Sequence, residues 1–183
     1  MCRYSFNSYK SHYACFTCRK TFKHIHEIDR LDRIGKADYY EKLARKPKGG
    51  LTDKEAAQLD QMSNISRSPK VRCPECGGYM ADLGLDFKSP KKTALKEWKI
   101  IEGLYAIGKT FYGCGCTGMG YIPTKPKDYQ LYLAKTLAEY ERSIAHFQSI
   151  PLEERKDKAK CIRYWSDKAA AVRQEIARQT LAT

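Results

Sequence analysis

No apolar run in the 183-residue chain approaches the length of a membrane span, so a bilayer-crossing helix is not expected. Histidine is scarce, at four residues, and the arrangements that catalytic metals require are missing. A zinc-protease helix needs His-Glu-x-x-His; His26-Glu27 opens that pattern, but Arg30 stands where the second histidine belongs. The deaminase signature needs His-x-Glu ahead of a cysteine pair, and neither His24 nor His26 has a glutamate two residues on. A phosphate loop ending in Gly-Lys-Ser/Thr is lacking too. Met1 to Phe6 has no apolar core and no small-residue cleavage site, so no secretory signal is read and a cytoplasmic location is expected. Finally, no acidic residue precedes Glu27.

Basic charge, by contrast, is plentiful. Lys and Arg number 34 against 21 Asp and Glu, a net charge of +13. Such an excess favours a polyanionic partner. Residues 1–123 hold 22 basic and 13 acidic residues, and 124–183 hold 12 and 8, so most of the excess lies in the first part. The acid-free N-terminus interleaves Arg3, Lys10, Arg19, Lys20 and Lys23 with aromatics that include Tyr13. Cations track phosphates and aromatic rings stack on bases, which makes this stretch a candidate nucleic-acid surface. Lys88, Lys91, Lys92, Lys96 and Lys99 form a second candidate, a basic stripe on an expected helix. Cations are unfavourable at a helix start, so helix stability does not explain them.

The eight cysteines read as metal ligands in a reducing compartment rather than as a disulfide scaffold. Cys15-Phe16-Thr17-Cys18 and Cys73-Pro74-Glu75-Cys76 each place two thiolates three residues apart, and Gly77-Gly78 allow a tight turn behind the second pair. Together they supply the four sulfurs of a closed, tetrahedral, structural zinc site. Four cysteines saturate zinc and leave no position for a reacting water, which argues against an enzyme. Cys15-x-x-Cys18-x-x-x-Phe22 also opens like a two-Cys, two-His finger, but His24 and His26 come too early and too close together. Cys114 and Cys116, in a glycine-rich turn, admit three roles: additional metal ligands, a reactive dithiol, or small packing residues.

The expected fold is α+β: a small zinc ribbon with a helical insertion, then an antiparallel helical hairpin. Strands are expected at His12–Thr17 and Arg19–His24. Residues 19–72 separate the knuckles by more than the roughly 15–20 of a compact ribbon, so helices are expected in an insertion at about 27–66. They comprise two pieces broken at Gly35, and a third from the capping box Thr52-Asp53-Lys54-Glu55 to about Met62. A strand over Tyr79–Phe87 follows, then a helix with Ser89 as N-cap and Pro90 at its first position. That helix ends at Gly108, and Lys109–Gly113 is a further strand. From Pro126, apolar residues at Leu133, Leu137, Tyr140, Ile144 and Phe147, then Ile162, Trp165, Ala169, Val172 and Ile176, mark two helices separated by Ser149-Ile150-Pro151. The domains are accordingly 1–123 and 124–183.

HYACFTCRKTFK at 12–23, CPECGGYM at 73–80, DFKSPKK at 86–92 and GCGCTGMGY at 113–121 together resemble a group of small bacterial zinc-ribbon proteins. The resemblance covers roughly residues 1–123. It implies a structural zinc on Cys15, Cys18, Cys73 and Cys76 and implies no activity. The resulting expectation is a non-enzymatic zinc protein that binds nucleic acid, RNA or a ribonucleoprotein such as the ribosome, through a basic and aromatic surface. The alternative is a protein-interaction adaptor using the C-terminal hairpin, with Tyr129, Tyr132 and Tyr164 exposed as contacts.

Overall fold

A computed structural model describes residues 10–25, 32, 35–47, 50–66, 70–113, 120–151, 155 and 157–181. The protein is a mixed α+β structure, with five helices and a three-stranded antiparallel sheet among the described residues. Arg3, Cys114 and Cys116, and most of the first helical piece expected before Gly35, lie outside them. The chain divides into two compact units. The first is Met1–Ser89 with Phe111–Gly120, and the second is Pro90–Thr110 with Tyr121–Thr183. This division runs through the segment read from the sequence as a single module over 1–123.

In the first unit, β1 (Ser11–Cys15) and β2 (Lys20–His24) pair in register from Ser11↔His24 to Cys15↔Lys20. β3 (Ala81–Gly84) pairs with the other side of β1, giving the order β2-β1-β3. The central strand is largely buried, with Ser11, Tyr13, Ala14 and Cys15 all inaccessible, and β3 buries Ala81 and Leu83 beside it. β3 is shorter than the expected Tyr79–Phe87 because Gly84 turns out of the ladder at φ +95°. A Cβ there would lie 2.8 Å from the Phe111 carbonyl group, a close approach only glycine permits. Lys109–Gly113 forms no strand; Phe111 N–H donates to Leu83 O (2.7 Å) and Asp86 N–H to Phe111 O (2.9 Å). Gly113 N–H then donates to the Asp86 carboxylate at 2.9 Å.

The same unit holds α1 (Ala37–Ala44) and α2 (Asp53–Ser66). Gly35, at φ +66°, interrupts the chain ahead of α1. The capping box forms as read: Thr52 N–H donates to the Glu55 carboxylate (3.0 Å) and Glu55 N–H to the Thr52 hydroxyl (3.3 Å). α2 continues to Ser66, past the expected stop near Met62. Tyr39 OH donates to Gln58 Oε1 across the helix pair (2.7 Å), and Lys46 pairs with Glu55 (2.7 Å).

The second unit is three helices: α3 (Leu95–Ala106), α4 (Pro126–Ser149) and α5 (Lys158–Leu181). α3 starts five residues beyond Pro90. Ala94 N–H and the Trp98 indole N–H both donate to Lys91 O (2.9 and 3.1 Å), which holds 91–94 as a turn instead of a first helical turn. Lys91 and Lys92 are thus outside the helix, and the expected helical stripe reduces to Lys96 and Lys99. At the other end, Gly108 N–H bonds Tyr105 O and Lys109 N–H bonds Leu104 O with Gly108 at φ +80°, a Schellman cap. Pro126 begins α4 at its first position. α4 and α5 lie side by side, with Tyr129 meeting Glu175, Tyr140 stacking near Trp165 (5.3 Å) and Glu141 pairing with Arg173 (2.8 Å).

Tyr129, expected on the surface, is buried, and Tyr132 is half-buried; Tyr164 is exposed. Burial of Tyr129 follows from Glu175, a nearly inaccessible carboxylate on α5 that accepts its hydroxyl proton at 2.9 Å. Arg178 and Gln179 also donate to Glu175, at 2.7–2.9 Å. Burial would raise the Glu175 carboxyl, but the hydrogen bonds from Arg178, Gln179 and Tyr129 outweigh it and hold it below its ordinary value. Gly103 on α3 leaves the space this network occupies.

Candidate metal centre

The residue after the second cysteine of each pair adopts a left-handed backbone: Arg19 at φ +51° and Gly77 at φ +71°. That conformation closes each C-x-x-C turn so that both sulfurs face inward. The first turn joins β1 to β2 and presents Cys15 and Cys18, with Cys18 N–H donating to Cys15 Sγ at 3.4 Å. The second is closed by Gly77 N–H to Cys73 O and Cys73 N–H to Gly78 O, both 2.8 Å. Met80 N–H to Val71 O (2.9 Å) then clamps the stems of this hairpin.

The ligand atoms of Cys15, Cys18, Cys73 and Cys76 all lie within 4.8 Å of one another. Cys15 Sγ and Cys76 Sγ are 3.6 Å apart. A disulfide spans about 2.05 Å, whereas a tetrahedral ion with metal–sulfur bonds of about 2.3 Å sets its sulfurs roughly 3.8 Å apart. The spacing therefore fits a metal ion. Tyr13, Cys15, Cys73 and Met80 are buried together, with Cys18 and Val71 packed against them, so the sulfur cluster is part of a small core.

The four thiols sit in unequal surroundings. Backbone N–H groups of Cys76 and Glu75 pull Cys73 down to about 7. Burial pushes Cys15 up, and hydrogen bonding to Cys76 together with burial pushes Cys18 up. A metal ion among the sulfurs would offset the mutual repulsion of neighbouring thiolate charges. Lys20 on β2 pairs with Glu75 in the second knuckle and ties the two turns together. Glu75 is the main reason the Lys20 ammonium is held above its usual value, with the Cys18 and Cys73 charges adding to it.

All four ligands expected from the sequence are thus brought together. The expected nucleic-acid residues divide between the two units. Tyr13 is not a surface residue: it is 4% exposed, its ring packed beside Cys15 and Cys73 and edge-on to His24 (5.5 Å), so it is unavailable for stacking on a base. Lys10, Lys23 and Lys88 are exposed in the first unit, and Arg19 and Lys20 are half-buried at its first knuckle. Lys91, Lys92, Lys96 and Lys99 are exposed in the second unit.

The sequence reading missed Lys70, Arg72 and Tyr79, which flank the second knuckle. Arg72 and Tyr79 face each other across an antiparallel bridge, and the guanidinium lies 4.8 Å from the ring centroid. Their equal distance from the Cys73–Gly78 turn was the available signal. Comparison with protein-family models, curated proteins and solved structures finds no match to this chain.

Proposed function

We propose that the chain is a non-enzymatic zinc protein that binds nucleic acid, RNA or a ribonucleoprotein in preference to a chosen DNA sequence. The observation that carries the metal reading is the convergence of four sulfurs within 4.8 Å. An all-sulfur tetrahedral set suits zinc, with iron–sulfur chemistry the competing occupant. In this reading the β1–β2 turn and the 70–80 hairpin are the two arms of a zinc ribbon, and α4 with α5 is an antiparallel helical hairpin. A closed four-sulfur ion has no coordination position for water, so its role is structural. The nucleic-acid reading is supported by the net charge of +13 and by Lys10, Lys23 and Lys88 standing exposed on the metal-bearing unit.

Elemental analysis of the purified protein is expected to return one zinc per chain and no iron. Removing it with a strong chelator is expected to unfold the sheet of the first unit, because metal-binding free energy at such sites is folding free energy. Trp98 and Trp165, both in the second unit, are expected to keep their native fluorescence. The logarithm of the affinity for RNA is expected to fall linearly with the logarithm of salt concentration, and a flat response refutes the nucleic-acid reading.

The adaptor reading comes second, favoured by Leu131 and Tyr164, large side chains left 56% and 54% exposed on the helical unit. Replacing both with glutamate abolishes partner capture if that reading holds and leaves RNA binding intact if it does not.

A further inference from the structure

The hairpin of the second knuckle carries an exposed aromatic ring that the fold alone does not account for. Tyr79 is 60% exposed although its neighbours Cys73 and Met80 are buried. It is held on a stiff base. The Arg72↔Tyr79 bridge and the Met80 N–H to Val71 O bond fix the stems, and two cysteines of the metal cluster lie in the turn between them. Arg72 is fixed too: it donates to Gly77 O (3.2 Å) and to the Tyr79 hydroxyl (3.3 Å) while its guanidinium lies over the ring. Lys70 Nζ stands 5.7 Å from the ring centroid. No carboxylate pairs with Lys70 or Arg72 among the described residues, and the nearest knuckle acid, Glu75, is engaged by Lys20. The arrangement is an exposed ring held by its hairpin, with two cations, Arg72 and Lys70, over it.

A rigid aromatic with adjoining cations matches a planar base attached to a phosphate. A base within a duplex is already stacked on its neighbours and cannot reach such a ring, so the ligand must be unpaired. We propose that Tyr79 is a stacking platform for one unpaired base of single-stranded nucleic acid, with Arg72 holding the ring in place and Lys70 meeting a flanking phosphate. The proposal rests on the nucleic-acid reading above and assigns its contact to one hairpin.

The test uses the full, zinc-loaded chain and fluorescence anisotropy of a labelled RNA of about a dozen unpaired nucleotides, within the range of known single-strand sites. Tyr79→Leu keeps an apolar side chain at the bridge and removes the π face. It is expected to weaken binding by about 5- to 150-fold, the worth of one stacked base, without changing the salt slope. Tyr79→Phe is expected to bind as the wild type does. Lys70→Gln is expected to reduce the salt slope by about one. Zinc content is measured for each variant, and ultraviolet crosslinking of wild type to 5-iodouracil RNA, mapped by peptide mass spectrometry, gives a readout independent of folding; Tyr79 is the expected crosslink.

Wild-type affinity in a zinc-replete Tyr79→Leu variant, crosslinks confined to other residues, or equal affinity for duplex RNA each overturns the platform, while salt-dependent binding would still uphold the nucleic-acid reading. Binding of polyglutamate more tightly than the oligonucleotide points to an acidic protein partner and overturns the platform. Absence of oligonucleotide binding by wild type overturns both.

Discussion

Gly103→Ala is ordinarily a mild change inside a helix, and on propensity alone alanine stabilises a helix interior by about 0.8–1 kcal/mol over glycine. In this protein the opposite is expected. A Cβ at Gly103 would stand 2.1 Å from Glu175 Oε1, 2.3 Å from the Tyr129 hydroxyl and 2.7 Å from Glu175 Cδ. Neither group yields easily. Glu175 is fixed by four hydrogen bonds from Tyr129, Arg178 and Gln179, and Tyr129 is 1% exposed. Accommodating the methyl means displacing a helix, at about 1–3 kcal/mol for overpacking, or breaking bonds to a buried carboxylate, at about 3–5 kcal/mol. Less the propensity gain, the net destabilisation of the helical unit is about 0–2 kcal/mol if a helix shifts and about 2–4 kcal/mol if the bonds break, each kcal/mol lowering Tm by about 4–8 °C in a domain of this size. Urea unfolding followed by tryptophan fluorescence reads this unit selectively, since Trp98 and Trp165 both belong to it. Combining Gly103→Ala with Glu175→Ala should cost less than the sum of the two changes, because the clash and the network share an atom. A Gly103→Ala protein more stable than wild type refutes the packing argument.

Two further outcomes are expected from the backbone and the charges. Because the Glu175 carboxyl is depressed in the folded state, its stabilisation is complete above the ordinary glutamate range and drains away as pH falls through the lowered folded value. Glu175→Gln should therefore flatten the acid limb of stability against pH, read by tryptophan fluorescence, and an unchanged acid limb would show that other carboxylates control it. Arg19 holds a left-handed conformation at φ +51°, which costs a non-glycine residue about 1–2 kcal/mol. Arg19→Gly relieves that at roughly 0.5–1 kcal/mol of added unfolded-state entropy, so a gain of about 0.5 kcal/mol in the stability of the first unit is expected from urea unfolding; a loss above ~1 kcal/mol would show that the Arg19 side chain, not its backbone, dominates there.

What could be read from the sequence was local. The ligand pairs, the Thr52–Glu55 capping box, Gly108 past the end of α3 and Pro126 at the start of α4 each depend on residues within a few positions of one another, and each stands where its chemistry predicted. Ser89-Pro90 was equally local and still failed, because the Trp98 indole, seven residues on, engages the Lys91 carbonyl and keeps 91–94 out of the helix. The other misreadings concern polar groups whose place is decided by distant partners. Tyr13 looked like a surface aromatic among cations, yet alternation along the central strand puts it on the same face as Cys15, against the cysteine cluster. Tyr129 lies four residues before Leu133, and Glu175 three after Val172, each in line with its helix's apolar seam. Read alone, each is an interruption of that seam; together, with glycine at 103 opposite, they are one buried hydrogen-bonded pair that only the three-helix packing brings together. A polar residue on an apolar stripe is therefore a query about a partner elsewhere in the chain. Applied to the first unit, the same query leads to Arg72 and Tyr79, which satisfy each other across a bridge and leave the ring facing water.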